Sequence, residues 1–159
     1  MKVESSKILK NPIHFLAFGF GSGLSPKAPG TFGTLTAIPI YLVLIQYVNS
    51  PFYLIIVVLM SVIGFWLCGK TAEDLGVHDH PGIVWDEIVG FLITMFQAPL
   101  GWVWVLVGFA LFRVFDILKP WPINWLDKKV EGGVGIMLDD ILAGVFAWVV
   151  LQIIVSYTM

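Results

Sequence analysis

The sequence predicts an all-α, integral-membrane helical bundle whose charged, candidate catalytic, loops and helix ends gather on one cytoplasmic face. Three observations carry that expectation. Apolar residues make up 58% of the 159-residue chain and the mean hydropathy is +0.89, above the roughly 45–50% apolar content of soluble domains. The nine basic and eleven acidic residues fall into three patches, residues 2–27, 70–87 and 113–140. The stretches between them are free of charge and approach the ~20 apolar residues that a bilayer crossing needs.

Residues 31–69 are apolar with a break at Asn49, Ser50 and Pro51, and residues 88–112 are apolar with a break over residues 97–101. Pro and Gly beside polar neighbours punctuate helices, so each stretch reads as a helical hairpin. If both hairpins turn at the far side of a bilayer, all three charged patches return to one face. Lys2, Lys7, Lys10, Lys27, Lys119, Lys128 and Lys129 make that face cytoplasmic by the positive-inside rule. The last apolar stretch, residues 141–157, then crosses outward.

Residues 34–48 and 52–69 are long enough to cross with tilt, but residues 88–98 number only eleven. Such a segment must be sheltered by other helices or belong to a re-entrant hairpin. The competing arrangement, one long helix running through Pro99, would place Asp86 and Asp140 on opposite sides of the membrane. Gly64, Gly69, Gly90, Gly108 and Gly144, with Ala143 and Ala147, suit close helix packing in lipid. Trp85, Trp102, Trp104, Trp121 and Trp125, near segment ends, fit interfacial anchors. One domain, residues 1–159, is expected, and its oligomeric state is open.

Composition excludes several functions. A net charge of −2 gives no basic stripe for nucleic-acid phosphates. Cys68 is the single cysteine, so no intrachain disulfide forms. The basic N-terminal stretch leads into Gly-Ser-Gly and Pro rather than a small-residue cleavage site, so no cleavable signal is expected.

Four motifs can carry chemistry. FGSGLSPKAPGTFGT, residues 20–34, is a loop of glycines, prolines and hydroxyls, Ser25 and Thr31 among them, around Lys27; such a backbone lets N–H groups approach a phosphate beside a point charge. It lacks the spacing of a Walker loop, and an interfacial turn would show the same composition. Asp86 and Glu87 open a helix, where a cap or the dipole accounts for acids; at a membrane boundary, two adjacent carboxylates instead invite a cation. Arg113, Asp116 and Lys119 recur every three residues before Pro120 and Pro122 end the helix. The cations there suit the helix C-terminus, whereas Asp116 opposes the dipole and needs a partner. Asp139 and Asp140 head the last apolar stretch much as the first pair heads an earlier one. Two such pairs on one face supply hard oxygen ligands for Mg²⁺, whereas either pair alone would be an N-cap. His78 and His80 suggest zinc only weakly, since His14 is the one other histidine and no cysteine pair exists.

Familiar phosphate chemistries are absent. Six residues after Cys68 stands Asp74, not the Arg of a cysteine phosphatase. No aspartate has another two positions on, so no D-x-D nucleophile motif exists, and Ala143 stands where a D-D-x-x-D pattern needs its third aspartate. The pattern of membrane alcohol phosphatidyltransferases is also missing. GFGSGLSPKAPGTFGTL, GVHDHPGIVWDEIVG, FRVFDILKPWPI and GGVGIMLDDILAG together closely resemble the bacterial phosphatidylglycerophosphatase A family, from about His14 to about Gly144.

The resemblance implies a multi-pass, Mg²⁺-dependent enzyme of the bacterial inner membrane, with its site facing the cytoplasm. It would remove the terminal phosphate of the phospholipid phosphatidylglycerophosphate to give phosphatidylglycerol. The family's acidic motifs match Asp86, Glu87, Asp116, Asp139 and Asp140, and its basic positions match Lys27, Arg113 and Lys119. In the expected site Asp86, Glu87, Asp139 and Asp140 hold one or two Mg²⁺. Asp86, Asp116, Asp139 and Asp140 are the catalytic set, with Lys27, Ser25, Thr31, Arg113 and Lys119 on the phosphate. Asp116 orients Arg113 or a water, or acts as general base. Water attack is the economical route, with an aspartyl phosphoenzyme open beside it. Two other readings stand: a transporter or channel component using acids as an ion path, and a non-catalytic helical assembly whose acidic pairs are caps.

Overall fold

The computed structural model describes residues 5–159, so Lys2 lies outside the described residues. Every regular element among them is helical: α1 Ser5–Lys10, α2 Pro12–Ala17, α3 Pro29–Tyr47, α4 Ser50–Leu75, α5 Trp85–Thr94, α6 Trp102–Leu118, α7 Ile123–Lys129 and α8 Gly132–Thr158, with a short 3-10 turn at Ser22–Leu24. Three of them, α3, α4 and α8, are long and apolar enough to cross a membrane. Their outward residues suit that setting: along α4, Phe52, Leu54, Ile55, Val58, Leu59, Val62, Ile63 and Trp66 are all exposed. Facing apolar side chains into lipid is favourable where facing them into water would not be.

Helix ends follow local chemistry. Pro29 starts α3 at a position whose N–H would have no intrahelical partner. Asn49 caps α4 by accepting from Phe52 N–H at 3.3 Å. The α4 helix runs six residues beyond the predicted end at Gly69, because its last turns are polar and stand clear of the apolar span. Lys70 bridges Asp74 at 2.7 Å there, and left-handed Gly76 stops the helix.

Both predicted hairpins form. Their turns meet, since Val48, Asn49 and Ser50 line the same cavity, of about 290 Å³, as Gln97, Ala98 and Leu100. One continuous helix through Pro99 is excluded, since α5 ends at Thr94 and α6 starts at Trp102. At about 15 Å, from ~1.5 Å per residue, α5 is too short to cross alone. It is sheltered: α3, α4, α6 and α8 pack around it, and Ile88, Val89, Phe91 and Leu92 are fully buried. Tyr53 Oη donates to Leu92 O at 2.7 Å, and Trp148 Nε1 donates to Phe96 O at 2.9 Å, which ties the end of α5 to α4 and α8.

Two expectations are corrected. The last helix begins at Gly132, nine residues before Ile141. The glycine run is helical because it packs tightly: a Cβ on Gly133 would collide with Phe65 O and sit 2.6 Å from Gly69 N. Trp85 is no interfacial anchor; it is 7% exposed and donates from Nε1 to Met60 O at 3.1 Å, because it turns inward between α4 and α8. Trp102, Trp121 and Trp125 are exposed, as anchors would be. The topology predicts that cysteines placed at residues 50 and 99 react with an impermeant maleimide from one side of the membrane and cysteines at 27 and 128 from the other. Labelling of all four from one side would contradict the hairpins.

Candidate functional site

Residues of the second and third charged patches meet where α5 begins, and the loop before α3 lies beside them. Asp86 and Glu87 lie in the first turn of α5, where the helix dipole favours anions. Neither caps the helix, since the N-cap residue is Val84 and no side chain bonds the free N–H groups. Asp139 and Asp140 stand two turns inside α8, about 10–12 Å from its start at ~1.5 Å per residue. They do not head the helix as expected, so the capping explanation fails for this pair as well.

Glycine packing brings the pairs together. Gly90 is four residues after Asp86 and Gly144 four after Asp140, so each glycine shares a helix face with its acid. A Cβ on Gly144 would lie 2.5 Å from Gly90 O, and one on Gly90 would lie 2.8 Å from Asp140 O. The backbones of α5 and α8 thus touch one turn beyond the acids, and Asp86, Glu87 and Asp140 converge until ligand oxygens from all three lie within 4.8 Å of one another. Asp140 is 3% exposed and Asp86 9%.

These carboxylates are short of partners. Asp86 Oδ1, Glu87 Oε2, Asp140 Oδ2 and Arg113 Nε are buried without a hydrogen bond, four of the seven such side-chain atoms among the described residues. Buried polar groups are normally satisfied, and an unmet carboxylate oxygen is costly. Three carboxylates at this separation repel one another strongly. The donor set, hard oxygens with open valences, fits a hard divalent cation such as Mg²⁺.

Asp139 does not join this set. Its Oδ2 accepts from Lys119 Nζ at 2.6 Å and its Oδ1 from the Asp140 N–H at 3.1 Å. Successive positions on a helix diverge by about 100°, so when Asp140 faces α5 its neighbour turns toward α7. Lys119 also donates to Asp127 at 2.7 Å, so two of its three N–H donors are engaged within the protein. Burial draws the Lys119 ammonium down, but its hydrogen bonds to Asp127 and Asp139 outweigh that and hold it above its ordinary value, leaving it charged. Asp116 has the partner its position demanded, an ion pair with Arg113 one turn earlier.

The loop before α3 reaches the cluster through Gly30. A Cβ there would collide with Glu87 Oε1 and come within 3.2 Å of Arg113 Nη1. Lys27 is exposed, Thr31 is half-buried, and Ser25 Oγ donates to Lys27 O at 2.8 Å, closing the loop on itself. His80 accepts from Gly82 N–H at 3.0 Å through Nδ1 and lies 5.4 Å from the Phe18 ring, a structural role. Sequence reasoning missed Gly30 and Asp127. A glycine after Pro29 is a faint signal of close approach, and Asp127, eight residues beyond Lys119 across two prolines, gives none. Past Asp140, α8 carries no charged residue, so the acids do not continue into a path along it.

A helical bundle of membrane type, with clustered carboxylates and an Arg at one end, defines a class of membrane protein with a charged site at the end of an apolar bundle. The family is specific. The family model described as phosphatidylglycerophosphatase A matches residues 15–155, and the chain belongs to that family. It is 52% identical over 140 residues to the phosphatidylglycerophosphatase A of Escherichia coli (strain K12), covering 87% of this chain and 81% of the relative. Against the phosphatidylglycerophosphatase A of Haemophilus influenzae it is 51% identical over 143 residues, 89% of this chain and 88% of the relative. A Bacteroides thetaiotaomicron relative with the provisional name phosphatidylinositol-3-phosphatase is 40% identical over 144 residues, 85% of this chain and 88% of the relative. No solved structure matches.

If the α5–α8 contact sets the cluster, Gly144→Leu should lower stability by about 1–3 kcal/mol, as overpacking does, read as a drop in Tm in detergent micelles. Val149→Leu, on an exposed position of the same helix, should leave Tm within a degree or two. Equal Tm for both variants would remove the contact from its role.

Proposed function

We propose that the chain is a phosphatidylglycerophosphatase of the bacterial inner membrane, hydrolysing the terminal phosphomonoester of phosphatidylglycerophosphate at a cytoplasmic site. The observation that carries the reading is the cluster of Asp86, Glu87 and Asp140, each with a buried oxygen that lacks a hydrogen bond, beside Arg113, in a chain that belongs to the phosphatidylglycerophosphatase A family. Both named phosphatidylglycerophosphatase relatives and the phosphatidylinositol-3-phosphatase relative bear names of lipid phosphomonoester hydrolases, which favours that substrate class over an ion path.

Asp86, Glu87 and Asp140 would hold Mg²⁺, which when bound supplies positive charge to a phosphoryl oxygen and acidifies water. Arg113 presents its guanidinium to the remaining phosphoryl oxygens, and Asp116 fixes that guanidinium through their ion pair. The first turn of α3 at Gly30 leaves room beside Glu87 and Arg113 because no Cβ stands there. A water oxygen forms the new bond to phosphorus as the ester P–O bond breaks. Asp116, which lies outside the cation set beside Arg113, takes the proton that the water loses and returns it to the departing glycerol oxygen. Asp139 acts from outside the cation set, held by Lys119, and Lys27, Ser25 and Thr31 border the entrance rather than the reacting atoms.

Asp86→Asn and Asp140→Asn should each insert normally and lower phosphate release from phosphatidylglycerophosphate by at least about 10²–10³-fold, the scale of losing one preorganised charge-stabilising group. EDTA should abolish release by the unmodified protein and Mg²⁺ restore it; full activity in EDTA would overturn the cation. Water attack further predicts ¹⁸O from labelled water in the phosphate and no protein-bound phosphate after acid quench. A trapped aspartyl phosphate would replace this route with a phosphoenzyme.

A further inference from the structure

The acids at the site form two adjoining sets. Asp86, Glu87 and Asp140 each carry one buried oxygen with no hydrogen bond, whereas Asp127 and Asp139 share the Lys119 ammonium at 2.7 and 2.6 Å. The second set lines a cavity of about 240 Å³ together with His78, Asp79 and Asp86. Asp86 therefore belongs to both: it is nine-tenths buried, its Oδ1 is unpartnered, and it lies on the cavity wall. Asp139 and Asp140 join the two sets again as chain neighbours.

We propose that Lys119 is a built-in cation standing in the second position of a two-cation centre, so that the chain binds one divalent ion where the carboxylate layout would otherwise take two. The inference rests on the cation reading above. Two-cation phosphoryl-transfer centres place adjacent ions among shared carboxylates to neutralise both sides of the reacting phosphorus. Here Asp86 lies on the wall of the cavity that Asp127 and Asp139 also line, and an ammonium bridges those two acids, from α7 and α8, as an ion would. Its backbone is committed to this task. Lys119 closes α6 at φ 43°, a left-handed conformation uncommon for a residue with a Cβ, and Pro120 follows directly. A lysine meant for substrate would keep its donors open; two of the three on this one are taken by Asp127 and Asp139. Lys119 is thus a positioning residue that holds Asp139 and fixes the ion count, and not a phosphate ligand.

Manganese counts on the purified full chain in detergent test this, by equilibrium dialysis with electron paramagnetic resonance. The unmodified protein and Lys119→Arg should each bind one Mn²⁺ with an uncoupled signal. Lys119→Met should bind two, with an exchange-coupled signal, and adding Asp127→Asn should return the count to one. Asp127→Asn alone should leave one ion, bound within about twofold of the original affinity, and this arm still decides the matter if Lys119→Met does not fold. Two ions in the unmodified protein, one ion in folded Lys119→Met, or loss of the ion in Asp127→Asn would each overturn the proposal. No ion in any of these proteins would overturn the cation reading along with it.

Discussion

The backbone contact between α5 and α8 is the constraint on which the site depends. Gly90 and Gly144 meet so closely that neither position accepts a methyl group, and each stands one helical turn from an acid. A lipid environment gives helices little hydrophobic reason to associate, so close packing through small residues must supply it. Once the two glycines touch, Asp86 and Asp140 face one another across the interface, and Glu87 is carried in beside them. Electrostatic repulsion among the three works against a contact that packing enforces. On the proposed reading, such a scaffold would hold the three acids in place before any cation arrives, which is what preorganisation means for a charged site.

Burial of α5 follows from the same constraint. A helix of ten residues cannot satisfy a bilayer by itself, and surrounding it with α3, α4, α6 and α8 removes the mismatch. The long helices meet the lipid with exposed aliphatic side chains, while the short one, which carries Asp86 and Glu87, is enclosed by protein. Outer helices provide solubility in the membrane; the inner one provides precision.

Much of this was legible in the sequence, because hydrophobic run length and charge placement obey simple rules in membranes. The three patches, the two hairpins, the sheltered short segment and the acids of the cluster all follow from counting. The misreadings have a common origin: they concern which way a residue faces. Trp85 sits at a segment end, and only the packing of α4 and α8 turns it inward. Gly133 and Gly135 precede the expected start of the last helix, yet close contact with α4 and with Val130 O packs them inside it. Asp139 and Asp140 are adjacent in sequence, and a rotation of about 100° sends one to the cluster and the other to Lys119. Asp127 was invisible because nothing local reveals a partner brought back by a bend at two prolines.

The depth of Asp140 within α8 has a consequence for selectivity among phosphate esters. Its carboxylate lies two turns inside the last helix, so on the proposed activity the phosphate of a lipid headgroup would meet it while the acyl tails stay in the bilayer. Water-borne sugar phosphates and nucleotides carry the same ester, but they have no tether that concentrates them at this level. On the proposed activity, exclusion of the cell's abundant soluble metabolites then requires no dedicated pocket, because location does the sorting.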